Sequence, residues 1–163
     1  MESFVVTPSV LAENLCWLLS TAAWNLTTEM TAALENLGVS PRDLSVLSTA
    51  MSGTYTQTEL ARKVGLDKTT MVVTLDELEA ARLAERRPSA ADRRARVIAV
   101  TPAGRRMVHE AEAVADRVRE DVLAVLDPAE REALVGALKR LVCERLSAPA
   151  QCSHAPRRRA PRG

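Results

Sequence analysis

Thr56-Gln57-Thr58-Glu59-Leu60-Ala61-Arg62-Lys63-Val64-Gly65-Leu66-Asp67-Lys68-Thr69-Thr70-Met71-Val72-Val73-Thr74-Leu75-Asp76-Glu77-Leu78 carries its own start and stop signals. Thr56 followed three residues later by Glu59 has the spacing of a capping box, in which the threonine oxygen accepts from the Glu59 backbone and the carboxylate reaches back. The brief helix so opened turns Leu60, Ala61 and Val64 inward and ends at Gly65. Asp67 follows at once as the N-cap of another helix, along which Met71, Leu75 and Leu78 recur at steps of four and three. That stripe leaves Lys68, Thr69, Val72 and Val73 on or near a different face. Two helices joined by Gly65-Leu66 make a helix-turn-helix.

Beyond Leu83 the period shortens. Residues 84–87 and 96–100 read as two strands, with Ile98 and Val100 on one face, around the polar loop 88–94, which is a β-hairpin wing. Thr101-Pro102 starts a helix running to about residue 126, and Asp127-Pro128-Ala129-Glu130 starts a last one lined by Leu134, Leu138, Leu141 and Val142. On the other side of Thr56, Ser40-Pro41 opens a helix whose apolar face is Leu44, Leu47 and Met51, closed by Ser52-Gly53. Before it, Leu11, Leu15, Leu18, Ala22, Leu26, Met30, Ala33 and Leu37 predict one long amphipathic helix from about residue 10, stopped by Gly38. The fold class expected is mainly α with a small β-hairpin wing, in one domain over 1–146. Its winged core spans about 41–101, between long helices over about 9–37 and 102–146. Those helices carry more apolar stripe than the small core can cover, and pairing with the same helices of a second copy predicts an isologous homodimer.

Composition agrees. Hydrophobic residues are 47% and charged residues 26%, a folded rather than disordered balance, while 2% aromatics disfavours a β-sandwich. No run of about 18 apolar residues occurs and Met1-Glu2-Ser3 is no basic leader, so the expectation is a cytoplasmic protein without membrane contact. Cys16, Cys143 and Cys152 are odd in number and show no CxxC, which argues against a disulfide framework or a zinc site. The net charge of +1 is uneven. Residues 147–163 turn to Pro, Ala, Ser, Gln and Arg and read as a disordered basic tail. Its Arg157, Arg158, Arg159 and Arg162 account for four of the 22 basic residues, leaving 18 against 21 acidic ones in the body. Within that acidic body Arg82, Arg86, Arg87, Arg93, Arg94 and Arg96 stand against only Glu85 and Asp92. A compact basic protrusion is the electrostatic footprint of a nucleic-acid contact, and equally that of a solvated hairpin.

The order of elements resembles the MarR (multiple antibiotic resistance regulator) family over about 11–146. The strings that carry the resemblance are Thr58-Glu59-Leu60-Ala61, Asp76-Glu77-Leu78-Glu79, Asp92-Arg93-Arg94 and Val100-Thr101-Pro102-Ala103-Gly104. It implies a bacterial repressor of transcription that binds a pseudo-palindromic double-stranded operator as a homodimer. Recognition helices would enter successive major grooves while each wing reaches a minor groove. Arg94 would be the minor-groove finger, oriented by Asp92, with Arg86, Arg93 and Arg96 on the same wing. The alternative for Asp92 and Arg94 is an exposed turn pair of little weight. Lys68 is a candidate for phosphate or guanine, Thr69 and Thr70 for phosphate or base edges. Val72 and Val73 stand where relatives carry polar or basic residues, and read either as thymine-methyl contacts or as one of them buried. Thr56 and Gln57 cap a helix and, on a second reading, offer N–H groups to phosphate. Arg82 stands where relatives usually have the glycine that ends the recognition helix.

The resemblance also implies release from DNA by a small aromatic or oxidant effector. Trp17, Trp24, Leu44, Leu47 and Met51 are the candidate pocket lining, with core packing as the plainer reading. Glu13-Asn14-Leu15-Cys16-Trp17-Leu18-Leu19 resembles the first helix of organic hydroperoxide resistance repressors, which implies Cys16 as a peroxide-sensing thiol. Against this, Ser20 replaces the tyrosine usual there, and a packed small hydrophobe is the other reading. His109 and His154 lack a partner ligand at helical spacing, so no metal is expected, nor any cofactor. GxSxG, P-loop and GxGxxG patterns are missing, which argues against an enzyme. A winged module that binds protein instead of DNA is the remaining class.

Overall fold

The computed structural model describes residues 9–89 and 95–147. The wing-tip residues Asp92, Arg93 and Arg94, together with Cys152, His154 and nearly all of the basic tail, lie outside the described residues. The chain divides into two compact units, Met1–Val122 and Leu123–Gly163.

The first unit opens with a difference from expectation. The helix predicted to run unbroken from about residue 10 is two, α1 (Ser9–Ala12) and α2 (Leu15–Leu34). Asn14 interrupts it in an extended conformation, and its side-chain oxygen accepts from the Trp17 backbone N–H at 2.8 Å. A short polar side chain that satisfies the next turn's donor favours a fresh helix start over a continuation, a competition that apolar periodicity alone does not reveal. A 3₁₀ turn (Glu35–Leu37) follows, stopped by Gly38 at φ 66°.

Next come α3 (Pro41–Met51), α4 (Gln57–Val64) and α5 (Lys68–Ala80), capped by Ser40, Thr56 and Asp67 respectively. Strands β1 (Ala84–Pro88) and β2 (Arg96–Val100) pair antiparallel with Ala84 opposite Val100 and Arg86 opposite Ile98. The segment entering α4 joins them: Ile98 N–H donates to the Tyr55 carbonyl at 2.9 Å and Thr56 bridges Val97. Helix α6 (Pro102–Leu123), all but its last residue, completes the unit. Leu34, Val46, Leu47, Leu60, Met71, Leu75 and Val108 are its fully buried centre, flanked by Ile98 and Val100 of the hairpin. Mainly helical, with a single hairpin wing among the described residues, the chain has the winged helix-turn-helix fold.

Two joints fix α5 and α6 to the hairpin. At the end of α5, Leu83 N–H donates to the Leu78 carbonyl and Arg82 N–H to the Glu79 carbonyl, both at 2.9 Å, the bonding of a Schellman motif. The motif needs a left-handed residue, and Arg82 takes that place at φ 58°. A side chain there costs about 1–2 kcal/mol relative to glycine, part of which glycine gives back as unfolded-chain entropy. Arg82→Gly is therefore expected to stabilise the protein by about 0.5–1 kcal/mol, seen as a higher urea midpoint at unchanged slope. A lower midpoint contradicts the strain.

The second joint explains Val100-Thr101-Pro102-Ala103-Gly104. The Thr101 hydroxyl donates to the Arg82 carbonyl at 2.8 Å and accepts from Gly104 N–H at 3.0 Å, so it caps α6 and pins it to the end of α5. Thr101 N–H donates to the Leu83 carbonyl at 3.0 Å. A Cβ on Gly104 would lie 2.0 Å from that same carbonyl oxygen and 2.8 Å from Val100 Cγ1.

In the second unit Asp127 and Glu130 form a capping box at the start of α7 (Pro128–Arg140), and Arg131 Nε donates to the Leu126 carbonyl at 2.8 Å. A π turn (Leu141–Arg145) ends it. Leu134, Val135, Val142 and Leu146 are exposed here, as Leu15, Leu18, Trp24 and Leu26 are on α2. Among the described residues no helix is long and apolar enough to cross a membrane.

Candidate nucleic-acid interface

Helix α5 is oriented by what it buries. Met71, Thr74, Leu75 and Leu78 face the core, and Thr74, 0% exposed, donates to the Thr70 carbonyl at 2.9 Å, which satisfies its hydroxyl within the helix. The opposite face therefore presents Thr69, Val73 and Asp76, with Lys68 exposed at the first turn. The two valines separate: Val73 is 49% exposed, whereas Val72 is half-buried at the edge of the stripe. An apolar side chain held in solvent on the outer face of a capped helix is available for an apolar partner.

Two threonines are occupied by capping. Thr70 donates its hydroxyl to Asp67 Oδ2 at 2.6 Å and its backbone N–H to Asp67 Oδ1 at 2.9 Å. Thr56 donates its backbone N–H and its hydroxyl to Glu59 Oε2, each at 2.8 Å. Gln57, Thr58, Ala61, Arg62, Leu66, Lys68 and Met71 line a groove of about 380 Å³ between α4 and α5. The Lys63 ammonium sits 4.8 Å over the Tyr55 ring, which places Tyr55 under α4 beside the hairpin.

The caps are electrostatic as well as geometric. The Thr56 backbone N–H and then its hydroxyl hold the Glu59 carboxyl below its ordinary 4.5, and Arg62 and Lys63 add to this. The Thr70 hydroxyl and then its backbone N–H hold Asp67 below 3.8. Because both folded-state values are depressed, the stability they contribute is present above the unfolded values and is lost as the pH falls through the folded ones. Between about pH 5 and pH 3 the wild-type melting temperature is thus expected to fall more than that of a Glu59→Gln/Asp67→Asn protein, in scanning calorimetry at matched ionic strength. Parallel curves contradict it.

The wing arginines divide. Arg86 pairs with Glu79 and, at 2.7 Å, with Asp76, both on α5. Arg87 pairs with Glu85 beside it on β1, and Arg96 is exposed at the start of β2. The Ser89 N–H donates to the Ala95 carbonyl at 2.9 Å, which closes the hairpin below the tip. Sequence reading placed Arg86 among the DNA contacts because it stands in an arginine-rich stretch. Its carboxylate partners ten and seven residues earlier become visible only once α5 and β1 are side by side.

Of the proposed pocket residues, Leu47 is a core side chain at 1% exposure, Trp17 and Leu44 are half-buried, and Trp24 and Met51 are exposed. Trp17 and Trp24 stand seven residues apart on one face of α2. Cys16 is an exposed free thiol in the first turn of the same helix, and His109 is exposed on α6. Among the described residues no group of three or more His, Cys, Asp or Glu side chains is arranged to hold a metal ion.

Known proteins share this fold. A family model described as the MarR family matches residues 37–95, from the end of the first 3₁₀ turn to the foot of β2. The crystal structure of transcriptional regulator PA3341 is 32% identical, with a TM-score of 0.70 over 80% of this chain and 97% of that one. CouR from Rhodococcus jostii RHA1, solved bound to p-coumaroyl-CoA, is 27% identical, with a TM-score of 0.75 over 84% of this chain and 97% of that one. The transcriptional repressor CouR bound to a 23-mer DNA duplex matches at 26% identity and a TM-score of 0.78, over 84% of this chain and 98% of that one. Matched over nearly the full length of these regulators, and at 32% identity to one of them, the chain belongs to the MarR family of transcriptional regulators.

Proposed function

We propose that the chain is a sequence-specific double-stranded DNA-binding regulator, acting as a homodimer and in the repressing sense. The observation that carries this reading is the outer face of α5, where Lys68, Thr69 and Val73 stand exposed on a rigidly capped helix beside the arginine-bearing hairpin. Lys68 and Thr69 would meet phosphates and base edges, Val73 a thymine methyl group, and the half-buried Val72 the edge of the same contact. Gln57 would offer its backbone N–H, Thr56 and Thr70, whose N–H groups are held by Glu59 and Asp67, would fix the helix starts, and Asp92, Arg93, Arg94 and Arg96 would follow the backbone into the minor groove. The transcriptional repressor CouR, solved on a 23-mer DNA duplex, supports both the partner and the sign.

The exposed apolar residues of α2 and of α7 are the surfaces we assign to dimerisation, each meeting its own counterpart or its neighbour in a second copy. In this division residues 41–101 read DNA, 9–37 and 102–146 hold the dimer, and the basic tail adds non-specific attraction. A small aromatic effector fits the tryptophan-bearing face of α2, and a ligand-bound CouR supports effector control. Cys16 keeps a peroxide-sensing alternative, since exposure gives an oxidant access. Footprinting on the DNA upstream of the chain's own gene tests the reading. Two protected segments about one helical turn apart are expected, each centred on a half-site. Absence of any protected sequence, there or in DNA selected from a random pool, would favour the protein-binding alternative.

A further inference from the structure

Arg86 differs from the other described arginines of the hairpin in what surrounds it. Its side chain is 25% exposed against 61% for Arg87. One guanidinium nitrogen donates to Asp76 Oδ1 at 2.7 Å, another pairs with Glu79 Oε2, and the Arg86 backbone N–H donates to Glu79 Oε1 at 2.7 Å. Glu79 thus grips both the side chain and the main chain of β1, and Asp76 holds the far end of the same guanidinium. Two features tie the strand to α5, this clamp and the strained turn at Arg82.

The position of the two carboxylates matters for an anionic partner. Asp76 lies seven residues beyond Thr69 and three beyond Val73, on the outer face of α5, and is 60% exposed. Two unneutralised carboxylates there would repel phosphate, and with Arg86 bound they carry one net negative charge instead of two.

We propose that Arg86 is a positioning residue for DNA recognition: it locks the hairpin to the recognition helix and shields the carboxylates of Asp76 and Glu79, and itself touches no phosphate. The inference rests on the DNA-binding reading above. Two consequences separate it from a direct contact. The shielding part of the arginine's effect on affinity passes through the two acids, so removing their charge restores that part while the hairpin stays unlocked. And the number of counterions released on binding does not depend on it.

The test compares wild type, Arg86→Met, and Arg86→Met combined with Asp76→Asn and Glu79→Gln. Affinity for the footprinted operator is measured against salt, with hydrogen exchange of the free proteins alongside. Arg86→Met is expected to weaken binding about tenfold or more, a coupling of ordinary size, with the slope of log K against log salt unchanged. The triple variant is expected to regain the electrostatic part of the loss, and exchange of the β1 amides is expected to quicken in both variants without DNA present. A slope smaller by about 0.9 and no recovery in the triple variant would make Arg86 a phosphate contact and overturn the proposal. Unchanged affinity in Arg86→Met would overturn it too, as would unchanged exchange of β1, which is read without DNA and so stands apart from any failure of the DNA-binding reading.

Discussion

Gly104→Ala is expected to melt about 10 °C below wild type, a loss of roughly 3 kcal/mol in a protein of this length. The sign is what makes the experiment sharp. In an ordinary helical position alanine is better than glycine by about 1 kcal/mol. Here the added methyl would be built 2.0 Å from the Leu83 carbonyl oxygen, and main-chain atoms cannot swing aside as the end of a flexible side chain does. That carbonyl already accepts from Thr101 N–H at 3.0 Å, and the Thr101 hydroxyl ties Gly104 N–H to the Arg82 carbonyl. To admit the methyl, α6 must move away from the turn that joins α5 to β1, and all of these bonds stretch together. A thermal melt of the purified variant reads the effect directly, and a melting temperature at or above the wild-type value contradicts the close approach.

Arg94→Ala is expected to reduce operator affinity by about tenfold to a hundredfold, the magnitude of one well-made groove contact. The reasoning joins sequence to fold. Arg94 directly precedes Ala95, whose carbonyl accepts from Ser89 N–H where the hairpin closes, and the strands below are anchored through Ile98 and Val100 in the core. In the proposed function Arg94 enters a narrow, A·T-rich minor groove, and the anchored strands that follow it in the chain would lower the entropy cost of that contact. Fluorescence anisotropy with operators whose flanks are A·T-rich or G·C-rich checks this. Wild type is expected to prefer the A·T-rich flanks and Arg94→Ala to lose both affinity and preference. A variant that binds as wild type does, with the preference intact, removes Arg94 from the contact.

What could be read from the sequence was local. Ser40, Thr56, Asp67 and Asp127 announce helix starts because a side chain and the backbone a few residues on complete the cap between them, and Gly38 and Gly65 announce ends for the same reason. The alternation around Ile98 and Val100 gave away the hairpin. Hidden features were those that depend on distant partners or on competition. Asn14 breaks a helix that apolar spacing would continue, because its cap competes with the apolar pattern. Tyr55 contributes a main-chain bond to β2, and no residue type signals a main-chain acceptor. For the proposed interface, the stripe Met71, Leu75 and Leu78 turned Lys68, Thr69 and Val73 outward as read but left Val72 half-buried at its edge, while Thr74 belonged to the core unannounced. The ties of Arg86 to Asp76 and Glu79 likewise follow only from the approach of β1 to α5. Arg82 was legible as an anomaly, a side chain where a glycine is usual, and the structure gives its physical meaning as a left-handed residue in a Schellman turn.

DNA binding by the exposed face of α5 and its hairpin is tested most directly by titrating purified wild-type protein into a labelled duplex from upstream of its own gene, over a series of salt concentrations. Binding at least about a thousandfold tighter than to an unrelated duplex, with log K falling linearly against log salt at a slope that shrinks by about 0.9 in Lys68→Ala, is the predicted result. Equal affinity for both duplexes, or a slope near zero, would contradict it.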